Sequence, residues 1–171
     1  MTSTFYKNKS TNWTTSDIPN LEGKTVFITG ANSGLGFYSA KALAEKNAHV
    51  VLACRTLKKA NSAINKLKLL NPEGKFSPLE LDLADLNNVS EMGSKFSNDF
   101  ENLDLLINNA GIMHPPKTLS AQGFEIQFAV NHLSHMLLTL KLLPIIEKKE
   151  KSRIVTVTSG SLLLFLSLIH I

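Results

Sequence analysis

The chain has 171 residues, 18 Lys and Arg against 14 Asp and Glu, and 43% hydrophobic residues. That length supports one domain with a sizeable core, and the balance is that of a globular rather than a disordered chain. The net charge of +4 is spread over helix-like stretches with no basic stripe interleaved with aromatics, which argues against a nucleic-acid partner, and a single cysteine, Cys54, excludes an internal disulfide framework.

Residues 1–20 are polar and lack the apolar core of a signal peptide; a flexible arm is expected, with Trp13 pinning it to the body. From Lys24 the texture alternates. Residues 25–29 (TVFIT), 49–53 (HVVLA), 103–108 (LDLLIN) and 153–158 (RIVTVT) are short apolar runs of the kind buried on both faces of a parallel sheet. A weaker strand over residues 75–81 is interrupted by Pro78 and is expected to start after it. Helical patterns cover residues 35–46, 57–70, 86–100 and 124–143. Asp85 is the expected N-cap of the third, and the fourth is expected to stop before Pro144. The order β-α-β-α-β-α-β-α-β predicts an α/β fold, a doubly wound parallel sheet with helices on both faces.

Residues 29–36, TGANSGLG, join the first strand to the first helix. Glycines at 30, 34 and 36 suit a tight turn, the approach of backbone N–H groups to a pyrophosphate, and close helix–strand packing. The helix would turn its positive end to the phosphates. A plain strand-to-helix loop is the alternative. The second strand runs into Arg55, with no carboxylate where a dinucleotide site holds its ribose hydroxyls. A guanidinium there suits a 2′-phosphate, which favours NADP (NADPH) over NAD; a surface role for Arg55 is the alternative. The five histidines lack metal-site spacing, so no metal is expected, His132 and His135 being read as packing or capping groups.

These motifs resemble the short-chain dehydrogenases/reductases, in the branch of retinol-dehydrogenase-like and WW-domain-containing-oxidoreductase-like enzymes. The turn Gly30-Ala31-Asn32-Ser33-Gly34-Leu35-Gly36 matches the family's cofactor loop, and LDLADL (81–86) places Asp82 and Leu83 on its adenine side. NNAG (108–111) matches the signature after the fourth strand and assigns Asn109, Ala110 and Gly111 to the cofactor, with Asn108 either structural or in contact with it. NHLSHMLLT (131–139) resembles the helix carrying the catalytic asparagine, here Asn131, read as a buried amide serving a water relay or simply satisfied in the core. RIVTVTS puts Ser159 at the catalytic serine's position.

The resemblance implies a Rossmann-like NADP-binding domain over residues 21–160. The implied activity is hydride transfer between an alcohol and a carbonyl, on a small and lipophilic substrate, with a homodimer in the full-length form. The family's proton-handling Tyr-x-x-x-Lys follows the serine. Here neither Tyr nor Lys occurs after Ser159, and the tyrosines are Tyr6 and Tyr38. A truncated, inactive chain lacking the last elements is therefore expected, or else a non-catalytic nucleotide-binding or regulatory module. Its unfinished sheet is expected to expose an apolar edge. The apolar tail, residues 161–171, is about half a membrane span long. A cytoplasmic protein without a transmembrane span is expected, with membrane-surface association left open.

Overall fold

The computed structural model describes residues 12–159; the expectations for residues 1–11 and for the tail lie outside them. Five strands form one sheet: β1 (Thr25–Thr29), β2 (His49–Cys54), β3 (Lys75–Glu80), β4 (Leu105–Asn108) and β5 (Arg153–Thr156). Every pairing is parallel and the spatial order is β3-β2-β1-β4-β5. The crossovers are α1 (Gly34–Ala44), α2 (Leu57–Leu70) and α3 (Leu86–Asp99). The last crossover is a continuous helix, Ile126–Ile146, built from α4 (Ile126–Phe128), a π-helical segment (Ala129–Leu133) and α5 (Ser134–Ile146).

The apolar runs are strands because both faces of the sheet are covered, so successive side chains enter two different cores. Val26, Ile28, Val50 and Leu52 point into the layer holding Ala40, Ala60, Ala63 and Leu67 of α1 and α2. Phe27, Val51 and Leu106 point the other way, against Phe96 of α3 and Leu138 and Leu142 of α5. The Phe27 and Phe96 rings meet edge to face with centroids 5.0 Å apart. Each such fully buried side chain contributes about 1.5–3 kcal/mol.

Pro78 does not delay β3, which pairs with β2 from Lys75 onward. The strand lies at the sheet edge, where a missing N–H is tolerated. Pro144 likewise sits inside α5 rather than ending it. The turn beyond it is held by burial of Ile145 and Ile146 in the core. The fourth helix begins at Ile126 instead of Phe124 because the Glu125 carboxylate accepts the Gln127 and Phe128 N–H groups, 3.0 and 2.8 Å. Trp13 is largely exposed rather than packed into the body. The neighbouring segment is tied instead by Lys46, whose Nζ donates to Ser16 O at 2.8 Å and whose carbonyl accepts the Leu21 N–H.

Helix Ile126–Ile146 is long and apolar enough to cross a membrane by length and composition, yet one face of it forms much of the second core. At the other end of the sheet order, β5 is exposed along its whole length, Ile154 and Val155 included.

Candidate functional site: a cleft at the carboxyl ends of the strands

In an open parallel sheet the ligand crevice lies outside the carboxyl ends of the strands, where successive crossovers leave to opposite sides. Here that point lies between β1 and β4. A cleft of about 480 Å³ opens there. The β1–α1 turn lines it with Gly30, Asn32, Ser33 and Leu35; the end of β2 and the start of α2 supply Arg55 and Lys59. Asp82 and Leu83 follow β3, and Asn109, Ala110 and Gly111 follow β4. Most of the residues singled out for a cofactor thus line one cavity. Ala31, Gly34 and Gly36 belong to the turn but do not line it, and Lys59 was not anticipated.

The turn is shaped by two close approaches. Gly30 has φ +67°, and a Cβ there would sit 3.0 Å from the Cα and Cβ of Ala110. A Cβ on Gly36 would lie 2.6 Å from both Gly30 O and Asn109 Nδ2. Only glycine lets the β1 and β4 loops meet so closely. At the start of α1, Ser33 makes no side-chain cap, whereas α2 and α3 are capped by Thr56 to Lys59 N and by Asp85 to Asn87 N. The helix that opens toward the cleft is the one whose first-turn N–H groups have no side-chain cap. A phosphate fits such an end. Asp82 is partly committed, one carboxylate oxygen accepting Ala84 N–H at 2.9 Å. Cys54, at the end of β2, is buried, and desolvation pushes its thiol up to about 11.

Asn131 differs from the expected buried amide: it is exposed. It sits in the π-helical segment, where Ser134 N–H bonds back to Ala129 O. Its side chain makes two bonds to one residue, accepting Ile112 N–H and donating to Ile112 O, both 2.9 Å. Ser159 is also exposed, two residues beyond Val157, which lines the cleft and donates its N–H to Asn108 O at 2.9 Å. Asn108 is buried and donates to Thr139 Oγ1 at 3.0 Å, while its Oδ1 has no partner among the described residues. His132 stacks on Phe128, centroids 5.3 Å apart. No group of three or more metal-ligating side chains occurs among the described residues.

Polar side chains on this otherwise apolar helix also bind the strand ends. Ser134 donates to Leu83 O at 2.6 Å, and His135 Nε2 lies 2.9 Å from Thr29 Oγ1. The sequence carries a partial signal: Asn131, His135 and Thr139 recur every fourth residue along an otherwise apolar helix.

A family model described as short chain dehydrogenase matches residues 24–163. The chain is 40% identical over 139 residues to retinol dehydrogenase 13 of Homo sapiens, covering 81% of this chain and 42% of that protein. It is 43% identical over 149 residues to retinol dehydrogenase 14 of Mus musculus, covering 81% and 45%. A crystal structure of an uncharacterized protein from Mycobacterium paratuberculosis superposes with a TM-score of 0.69 at 43% identity, covering 80% of this chain and 47% of that one. The chain therefore spans less than half the length of each of these relatives. With the family match running from β1 to beyond β5 on a Rossmann-like sheet, this chain belongs to the short-chain dehydrogenase family of oxidoreductases.

Proposed function

We propose that this chain is the nucleotide-binding part of an NADP(H)-dependent oxidoreductase that moves a hydride between a small lipophilic alcohol and the corresponding carbonyl. The observation that carries the cofactor choice is the pair of exposed cations, Arg55 and Lys59, on the wall of the cleft beyond β2. Two positive side chains suit a phosphate dianion there better than a bare ribose diol. The names of the relatives support a lipophilic alcohol.

In this reading the first-turn N–H groups of α1 hold the pyrophosphate, and Asp82 with Leu83 borders the adenine. Asn109, Ala110 and Gly111 shape the wall beside the ribose. A nicotinamide held there would supply or take the hydride. Ser159 orients the substrate oxygen, and Asn131, its amide held by Ile112, takes the place assigned to a water relay. The 171 residues contain no Tyr-x-x-x-Lys, so the proton-handling pair is absent from this chain. We therefore expect it to bind nucleotide without turning over substrate, in a reducing cytoplasmic setting that suits the lone buried Cys54.

Calorimetry with NADPH and NADH on the purified chain tests this. Arg55→Asp removes a charge-assisted contact of about 1.5–3 kcal/mol, so NADPH affinity falls tenfold or more while NADH affinity changes little. Equal losses for both coenzymes overturn the cofactor choice. Turnover of a carbonyl substrate by the chain overturns the non-catalytic expectation.

A further inference from the structure

Among the buried polar groups to which the cofactor reading gives no role is His135, 5% exposed, on the core face of α5. Its surroundings dictate its protonation atom by atom. Thr29 Oγ1, at the end of β1, accepts the backbone N–H of Asn109 and of Ala110, both at 2.9 Å. A hydroxyl oxygen has two lone pairs and one proton. Both lone pairs are thus taken, and the proton has two directions open, His135 Nε2 at 2.9 Å and Ile107 O at 3.5 Å. The shorter and better bond is to Nε2, which must then be an acceptor. On the other side of the ring, Nδ1 lies 3.2 Å from Asn131 O. A carbonyl can only accept, so Nδ1 carries the hydrogen. Two independent contacts select one neutral tautomer, and burial favours the same uncharged form.

We infer that His135 is a positioning residue: as the Nδ1–H imidazole it accepts from the Thr29 hydroxyl and donates to the Asn131 carbonyl, fixing the Asn109–Ala110 turn and the Asn131 backbone to each other. The β1–β4 side of the cleft and the π-helical segment are then held by one ring. Replacing that ring with an apolar side chain leaves the Thr29 proton only the 3.5 Å contact with Ile107 O, takes the ring donor from Asn131 O, and removes the link between the turn that walls the nucleotide and the π-helical segment. The effect on nucleotide affinity rests on the cofactor reading above; the tautomer does not.

Histidine-ring proton–nitrogen correlation spectra of the full chain without ligand read the tautomer directly. A protonated Nδ1 with a bare Nε2 is expected at neutral pH; an Nε2–H ring or an imidazolium overturns the inference. The functional half is read by NADPH calorimetry on three variants. In His135→Gln the amide oxygen reaches the Nε2 position and restores the acceptor for Thr29. In His135→Asn the amide nitrogen reaches only the Nδ1 position, and His135→Leu restores neither. Affinity within about threefold of the parent is expected for Gln, and a loss of about tenfold or more for Asn and Leu. Equal affinities for Gln and Leu would make His135 a packing group and overturn the inference. If the Leu variant does not fold, the contrast of Gln with Asn decides the same point. A parent chain that binds no NADPH yet shows the Nδ1–H ring refutes the cofactor reading, and the functional half of this inference with it, while sustaining the tautomer.

Discussion

Gly36→Ala probes whether the two loops at the head of the sheet are in true contact. The added methyl carbon would sit 2.6 Å from Gly30 O and 2.6 Å from Asn109 Nδ2, and 3.1 Å from Ala31 Cα. Contacts below 3.0 Å cannot be kept, so either the Gly30 carbonyl or the Asn109 amide must move. Asn109 is the more mobile partner, and moving it breaks its 2.9 Å bond to Thr29 O. Overpacking of this kind costs about 1–3 kcal/mol. Better helix propensity returns up to about 1 kcal/mol, and less in the first turn of a helix. The net expectation is a destabilisation of about 1–2 kcal/mol. Urea unfolding followed by far-ultraviolet circular dichroism should show a lower midpoint at unchanged slope. NADPH affinity should fall about tenfold, because Asn109 borders the cleft. A variant as stable as the parent, with the parent's affinity, would refute the close-approach reasoning.

The structure carries three further expectations. His49 and His135 both have pKa values lowered from the ordinary 6.5, each chiefly by burial, with the Lys75 charge adding to the effect at His49. The unfolded chain therefore takes up protons first, so these rings' contribution is complete above pH 6.5 and is lost as the pH falls through their depressed folded values. Urea midpoints measured downward from neutral pH should decline, and a flat profile over that range refutes it. Leu138→Ala removes a fully buried side chain from the α3–α5 core and should cost about 2–5 kcal/mol in the same assay; a cost under 1 kcal/mol would show a looser core. Cys54, with its thiol pushed up to about 11 and no exposure, should resist a thiol reagent in the native chain and react on unfolding; rapid native labelling contradicts its burial.

The sheet was legible because its evidence is local. Short apolar runs, the glycine turn and the Asp85 cap each act within a few residues, and β1, β2 and α2 appear almost where the pattern puts them. Tertiary context moved the rest. Pro78 reads as an interruption until β3 is known to lie at the edge, and Pro144 reads as a stop until Ile145 and Ile146 are seen in the core. The cofactor-lining residues follow from motifs fixed in sequence. Lys59 looks like any surface lysine until α2 is placed beside the cleft. Asn131 was misjudged as buried because mid-helix position is a poor guide to depth where a π turn shifts the helical register. The spacing from Asn131 and Thr139 marks His135 as one of a polar series, but its partner Thr29 lies 106 residues away and only the fold brings the two together.

The two borders of the sheet are unequal. On one side Pro78, with Lys75 and Glu80 on the same strand, discourages a further strand from adding. On the other, Ile154 and Val155 stand open on β5. Among the described residues the sheet thus presents exposed charge along β3 and exposed apolar side chains along β5.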